Sequence, residues 1–93
     1  MSDSVATRIF HNDLGSERTV STDSMKVIAI VITNTTASAV DYEINDGAGT
    51  NIFNITVGAD STFLLQADFI VQGLIIAAEA DTSHVTVLYR PGA

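Results

Sequence analysis

The segment Met25–Asn34 constrains the fold of this chain most, because its central positions are apolar in succession and do not alternate with polar residues. Successive side chains of a β-strand point to opposite faces of the sheet. As a regular strand, the segment has two apolar faces: Val27, Ala29 and Val31 form one, and Ile28, Ile30 and Ile32 form the other. A domain of 93 residues has little beyond its own core to cover the second face. We predict that one face lies in the core and that Ile28, Ile30 and Ile32 form a self-interface with another copy of the chain.

The composition favours one domain that associates with other protein chains. Apolar residues make up 46% of the sequence and charged residues only 16%, whereas charged residues are about 25% of an ordinary soluble domain. A chain so poor in charge is expected to cover part of its apolar surface in an interface. The longest apolar run is too short for the ~20 residues that a membrane-spanning helix needs.

The charge balance argues against nucleic acid and membrane partners. The net charge is −7, and the four basic residues are scattered along the sequence. Binding to nucleic acid or to an anionic membrane requires clustered lysine and arginine, so we expect neither partner. The sequence has no cysteine, which excludes disulfides, thiolate nucleophiles and cysteine metal sites. The first residues lack the basic and apolar regions of a secretion signal, and we expect a protein that is not secreted.

From Glu17 onward, short β-rich runs alternate with clusters of turn residues, at the spacing of about 8–12 residues that is typical of a β-sandwich or a barrel. This pattern predicts an all-β domain over residues 18–93. The best-defined local element is a hairpin over 39–57, because Asp46-Gly47 supplies the positive φ angles that a tight turn needs. The predicted strands are 18–22, 25–34, 39–45, 50–57, 61–66, 69–79 with a break near Gly73, and 84–90.

Residues 1–17 are polar and irregular in pattern, and they have only three large apolar side chains: Ile9, Phe10 and Leu14. Two interpretations stay open. The segment is either a frayed terminus or an arm that docks these three side chains on a neighbouring subunit or on a partner. We predict that residues 1–17 form an arm separate from the domain at 18–93. Its predicted binding residues are Ile9, Phe10 and Leu14.

Two groups of side chains have the ligand chemistry of a metal site. Asp41, Glu43 and Asp46 offer oxygen ligands for Ca²⁺, but their spacing is not that of an EF-hand loop, and a solvated strand face explains them as well. His11, Asp13 and His84 offer ligands for zinc or iron, but they lie far apart in the sequence. We predict no metal and no cofactor.

The sequence also lacks a convincing catalytic pattern. His84 follows Ser83, but a nucleophilic triad needs a histidine that an acid orients, and no Gly-x-Ser-x-Gly turn is present. We therefore predict that the chain is not an enzyme. We expect the aromatic residues to pack in the core, and the alternative is that Tyr42 or Phe69 anchors an interface.

The order of segments between Met25 and Arg90 resembles that of small virion proteins of tailed bacteriophages. An apolar strand is followed by a polar turn, a hairpin, a second reversal, an apolar run with an internal glycine, and a closing strand. These segments are Lys26–Ile32, Thr33–Thr36, Asp46–Thr50, Val57–Thr62, Phe69–Leu74 and Val85–Arg90.

The resemblance implies both a fold and a function. The implied fold is a compact antiparallel β-sandwich, jelly-roll-like, with about seven or eight short strands and an irregular N-terminal arm. The implied function is that of a structural virion protein of the capsid decoration, or cement, type, which binds the assembled phage head at the capsid surface after synthesis in the host cytoplasm. Its implied partners are the major capsid protein or another virion protein, and further copies of the chain in a homotrimer. It implies no catalytic residues.

Two other function classes stay open. One is a carbohydrate-binding or receptor-binding β-sandwich module of a phage tail fibre or an adhesin, which needs an aromatic platform or a metal near the loops. Tyr42 and the acids between Asp41 and Asp46 are its candidates. The other is a small enzyme or metal protein of cupin-like shape. That class needs a cluster of metal ligands, which two histidines hardly supply.

Overall fold

Every secondary-structure element that the computed structural model describes is a β-strand; it describes residues 7–79 and 84–92. The six strands form one antiparallel sheet in the order β1-β6-β2-β5-β3-β4. Their bounds are β1 Arg8–Asp13, β2 Glu17–Asn34, β3 Val40–Asn45, β4 Asn51–Val57, β5 Ser61–Ala78 and β6 His84–Pro91. In the part of the chain so described, no helix is long and apolar enough to cross a membrane.

The two longest strands replace four of the predicted short ones. β2 and β5 each have 18 residues and pair along nearly their whole length. The polar clusters at 22–24 and 66–68, which the sequence predicts as turns, lie within these strands where the register of β2 against β5 shifts. They are β-bulges, which bend a strand and do not end it. The seven predicted strands are therefore five, and β1 is the sixth strand of the sheet.

A bulge at Ile28 decides which residues of β2 enter the core. Val27 pairs with Tyr89 of β6, whereas Ala29 pairs with Leu88, so that Ile28 has no direct partner in β6. An extra residue in one strand breaks the alternation of its faces. Val27 and Ile30 therefore both point inward and are fully buried.

The bent sheet folds over one core, which both halves of the sheet line. The inner side chains of β2, β5 and β6 pack with those of β3 and β4 in a single cluster. Phe53 of β4 meets Phe69 of β5 edge to face, with ring centroids 6.1 Å apart, a favourable geometry for aromatic rings. The all-β, antiparallel, sandwich-like class that the sequence predicts is confirmed.

The predicted hairpin over 39–57 is present as β3 and β4, but the positive φ in its turn lies at Gly49 and not at Asp46-Gly47, where the sequence predicts it. The turn is anchored to β5. The Gly47 backbone N–H donates to the Gln72 carbonyl at 2.9 Å. A Cβ atom built on Gly73, which has φ +81°, would lie 2.7 Å from the Gly47 Cα. This close approach requires glycine at both positions, because no side chain fits between the two backbones.

The described part of the N-terminal segment is a strand of the sheet and not an irregular arm. β1 pairs with β6 in regular antiparallel register, from Arg8 opposite Tyr89 to Asp13 opposite His84. After β1 the chain turns so that Leu14 is fully buried in the core. The prediction of an irregular arm is thus wrong for residues 8–14, because pairing and core packing compensate for a polar sequence. Residues 1–6 of the arm and the predicted turn at 80–83 lie outside the described residues.

Asn34, at the end of β2, joins three chain segments. Its side chain is fully buried, and its Nδ2 donates to the carbonyls of Ser38, Val57 and Gly58 at 2.9, 3.1 and 3.0 Å. Its Oδ1 accepts from the Thr36 backbone N–H at 2.9 Å. A buried amide is stable only when its polar atoms are paired, and here the pairing holds the loop after β2 against the turn after β4.

Candidate interaction surface

Four neighbouring strands present a continuous outer face, on the side of the sheet away from the core. We define the outer face by the pairing of β1, β6, β2 and β5, which places its side chains in three rows of four. The rows are Ile9, Leu88, Ala29 and Gln66; His11, Thr86, Val31 and Leu64; and Asp13, His84, Thr33 and Thr62.

The centre of the outer face is apolar and accessible. Ile9 is 69% exposed and Leu64 is 57% exposed. Between them, Val31 and Leu88 are half-buried by their neighbours within the sheet. Single exposed apolar residues are ordinary on protein surfaces, but a contiguous group of them marks a site of interaction.

Cross-strand contacts order the polar side of the outer face. His11 Nδ1 lies 2.6 Å from Thr86 Oγ1, and His84 Nδ1 lies 2.6 Å from Asp13 Oδ1. Thr33 and Thr62 have their hydroxyl oxygens 3.3 Å apart. Such pairs across neighbouring strands favour one arrangement of the surface, so that a partner meets a largely preformed face.

A depression of about 250 Å³ lies at one end of the outer face, beside the bulge. Two of the four basic residues of the chain, Lys26 and Arg90, line it together with Asp68 and Ile28. Lys26 Nζ lies 3.0 Å from Asp68 Oδ1. With Asp13 in the third row, two basic and two acidic side chains balance on this side of a protein that carries a net charge of −7.

The predicted self-interface is not the surface that the structure presents. Ile30 and Ile32 are fully buried in the core of the single chain, so they cannot meet another copy in this fold, and only Ile28 reaches the outer side, at the depression. The prediction failed because it assumed a regular strand, and the bulge exchanges the two faces after Ile28. Ala29 and Val31 take the outward positions. The sign of the bulge in the sequence is the pair of polar residues Gln66 and Asp68 in the mostly apolar partner strand β5, where the register shifts.

The three predicted binding residues of the arm have three different environments. Leu14 is fully buried, Phe10 packs against the core from β1, and Ile9 is exposed on the outer face. The assignment of Leu14 and Phe10 to a partner is therefore wrong for this fold. Alternation along β1 explains the difference between Ile9 and Phe10, because adjacent strand residues face opposite sides.

A second concave surface lies on the other half of the sheet, where β3 is flanked by β4 and the end of β5. This groove has a volume of about 540 Å³. The Asp41 backbone N–H donates to Glu79 Oε1 at 3.0 Å, and Asp41 Oδ1 accepts from the Thr56 hydroxyl at 2.7 Å. The groove is lined by Asp41, Tyr42, Glu43, Asn54, Thr56, Ala77, Ala78 and Glu79.

The acids considered as a calcium site do not converge. The Asp46 carboxylate is occupied within its own turn, because Oδ1 accepts from the backbone N–H groups of Ala48 and Thr50, both at 2.9 Å. Asp41 and Glu43 share the outward face of β3, and Glu79 is the acid that joins them. Among residues 7–79 and 84–92, no three His, Cys, Asp or Glu side chains are grouped as metal ligands.

The two histidines do lie on the same face, which the sequence separation conceals. Pairing of β1 with β6 brings His11 and Asp13 beside His84. Each histidine is engaged with a different neighbour, as described above, and the three side chains do not form a metal-ligating group. Ser83, considered as a nucleophile beside His84, lies outside the described residues.

The aromatic candidates pack inward. Tyr42 is fully buried, and Phe69 packs against the core and against Phe53. Neither side chain is an interface anchor in this fold, and Tyr42 cannot serve as an exposed platform for a sugar ring. The core explanation of both residues is the correct one.

Comparisons with known proteins show the fold and not the function. No family model matches the chain, and no curated protein matches it in sequence. A Streptococcus pneumoniae fucose binding module has a TM-score of 0.50 at 14% identity, over 90% of this chain and 70% of that one. A protein of the disulfide-linked pili of Bacillus endospore appendages has 0.45 at 16%, over 96% and 88%. The tobacco streak virus coat protein has 0.39 at 11%, over 98% and 92%. At these identities, the first similarity supports the β-sandwich fold alone.

Proposed function

We propose that the chain is a non-enzymatic structural virion protein, which binds the assembled phage head at the capsid surface as a decoration protein. The outer face carries this proposal: it is accessible and largely apolar, and the depression at its end adds two basic side chains and one acidic one, on a protein with a net charge of −7. The order of sequence segments that resembles small phage virion proteins supports the virion setting.

The chemistry of the outer face suits a protein surface better than a small molecule. Its apolar part, around Val31, Leu64 and Leu88, consists of strand side chains from two adjacent rows and is not a cavity. Small ligands bind mostly in concave sites. Burying Ile9 and Leu64 against a partner removes apolar area from water, at about 25 cal/mol for each Å². The balanced charges lower the electrostatic cost of approach to another protein.

Selective binding to an assembled shell would stabilise that shell by mass action, because a ligand that binds only one state shifts the equilibrium toward it. The partner would be the major capsid protein or another virion protein. Each bound copy would contribute its own share to the stability of the shell, so that the effects of many copies sum. The homotrimer that the resemblance implies is an alternative to the pairing inferred below, and the mass of the assembly distinguishes the two.

Co-sedimentation with assembled heads of the parent phage tests the proposal. We expect the wild-type protein to sediment with the heads, and Leu64→Lys, which places a charge in the middle row of the outer face, to bind at least about tenfold more weakly. Ala48→Lys introduces the same side chain in the exposed turn after β3 and is expected to bind like the wild type. Absence of wild-type binding, or equal loss in both variants, would contradict the proposal.

The groove beside β3 favours a second candidate, a carbohydrate-binding or receptor-binding module. Its carboxylates, amide and hydroxyl are groups that hydrogen-bond sugar hydroxyls, although the buried Tyr42 removes the expected stacking platform. A glycan array screened with and without Ca²⁺ tests this candidate. Hits that Glu43→Gln abolishes would favour it over head binding, and an array without hits in either condition would remove it.

A further inference from the structure

β4 is the last strand of the sheet, and among the described residues nothing pairs with its outer edge. An exposed edge strand offers unpaired backbone N–H and C=O groups to any extended chain. Natural proteins usually protect such an edge with charged residues, proline or bulges. Asn51–Val57 has no charged residue and no proline. Its pairing with β3 is regular from Val57 to Phe53, with one register shift only beside the turn.

The opposite edge of the same sheet is protected. β1 carries Arg8, His11 and Asp13 within six residues. A charged residue at an edge disfavours pairing because the added strand would remove it from water. The two terminal strands therefore differ in a property that controls association, and of these two it is β4 that is suited to receive another strand.

We infer that β4 pairs with β4 of a second copy, antiparallel about a twofold axis, so that the sheet continues from one chain into the next. Pairing centred on Asn54 places Phe53 opposite Ile55 of the other copy, and Ile52 opposite Thr56. Every residue then meets one from the same side of the sheet, as the pleat requires. The half-buried Phe53 gains cover on the inner side, and Ile52, which is 41% exposed, gains cover on the outer side.

The charge distribution permits this pairing despite the net charge of −7. The nearest acids along the strand faces, Asp41 and Glu43, lie on β3 and not on β4. Across the twofold axis, equivalent β3 strands are three strand spacings apart, about 14 Å. This separation exceeds the Debye length of about 8 Å at physiological ionic strength, so repulsion between these acids is largely screened. Lower salt is expected to weaken the pair.

A second copy is the occupant that these observations favour over an unrelated peptide. The strand is compatible with itself on both sides of the sheet, and a twofold contact closes after two chains. The inference does not depend on the proposed function, because the outer face lies on other strands. It predicts assemblies with even numbers of chains.

Light scattering coupled to size-exclusion chromatography, over concentrations from micromolar to millimolar, tests the inference on the full chain. We expect the mass to approach twice 9.8 kDa as concentration rises. Asn54→Lys, which places a charge at the centre of the pairing on an exposed position, should remain at the monomer mass over the same range. Leu64→Lys is the matched control, and it should pair like the wild type, because Leu64 lies on the outer face.

Amide hydrogen exchange supplies a second readout that does not depend on a variant. Exchange in β4 should slow at high concentration, while exchange in β1 should not change. A wild-type monomer at every concentration would overturn the inference, as would a mass of three times 9.8 kDa or a pair that Leu64→Lys dissociates and Asn54→Lys does not. None of these results would bear on head binding, which the co-sedimentation experiment decides separately.

Discussion

At the scale of single residues, the buried amide of Asn34 shows how this small fold secures its loops. The chain has no disulfide to hold them, and the carbonyl groups around Asn34 come from two different connections. Both ends of the amide are used: its nitrogen faces carbonyl groups only, and its oxygen accepts from Thr36. No other side chain of similar size offers a donor and an acceptor in this arrangement.

Asn34→Asp is therefore expected to lower the free energy of unfolding by at least about 3 kcal/mol. The substitution keeps the shape but places a carboxylate oxygen against three carbonyl oxygens. Asn12→Asp is the matched control: Asn12 is exposed and its Oδ1 accepts from the Asp13 N–H, a contact that a carboxylate keeps, so the cost should stay within about 0.5 kcal/mol. Urea unfolding followed by circular dichroism measures both, and similar costs in the two variants would contradict the role assigned to Asn34.

At the scale of elements, regular strands could be predicted from the sequence and irregular ones could not. β3 alternates strictly between apolar and polar residues, and β4 and β6 alternate over most of their length. The polar, glycine-rich turn between β3 and β4 completes the local signal for the hairpin, although its positive φ lies at Gly49. The bulge at Ile28 leaves no local signal in β2, because every residue around it is apolar. Its position depends on the registers of β6 and β5, which are properties of the folded sheet.

The bulge predicts a difference between two isoleucines that a regular strand would place on the same face. Ile30→Thr should cost about 3 kcal/mol, because it creates a cavity and buries a hydroxyl in the core. Ile28→Thr should cost less than about 1 kcal/mol, because Ile28 is only half-buried. The same chemical change and the same measurement serve for both. Equal costs would mean that β2 is regular at this point.

At the scale of the whole molecule, the sheet joins the beginning of the chain to its end. β1 pairs only with β6, and the sequence contains no local sign of this, because β1 is polar and its partner lies more than seventy residues away. The outer face could not be predicted for the same reason: its rows combine residues from four strands. The sequence predicts Ile9 as a binding residue of an arm, but it does not reveal the neighbours in β6 that make Ile9 part of a surface.

Deletion of residues 1–14 is expected to destabilise the entire protein and not simply to remove a binding arm. The deletion takes away β1, uncovers the edge of β6 and removes the fully buried Leu14, whose loss alone should cost about 2–5 kcal/mol. This cost is comparable to the total stability of many small domains. Thermal unfolding checks the result, with Ile9→Ala as a control that should unfold near the wild-type temperature. A deletion variant as stable as the full chain would mean that this segment is a separate arm and not part of the domain.

The stepwise register around Ile28 has a consequence for how this sequence can vary in length. Val27 and Ala29 of β2 each pair with one residue of β6 and one of β5. Between these two sets of paired residues, β6 has no extra residue, β2 has Ile28, and β5 has Ala67 and Asp68. The three paired strands thus use different numbers of residues over the same stretch of the sheet. This difference in length bends the sheet at that point. Deletion of one residue elsewhere in β2 would move every later side chain of the strand to the opposite face of the sheet. Loss of codon 28 would leave each of its neighbours on its present side, so natural deletions in this strand should be tolerated there first.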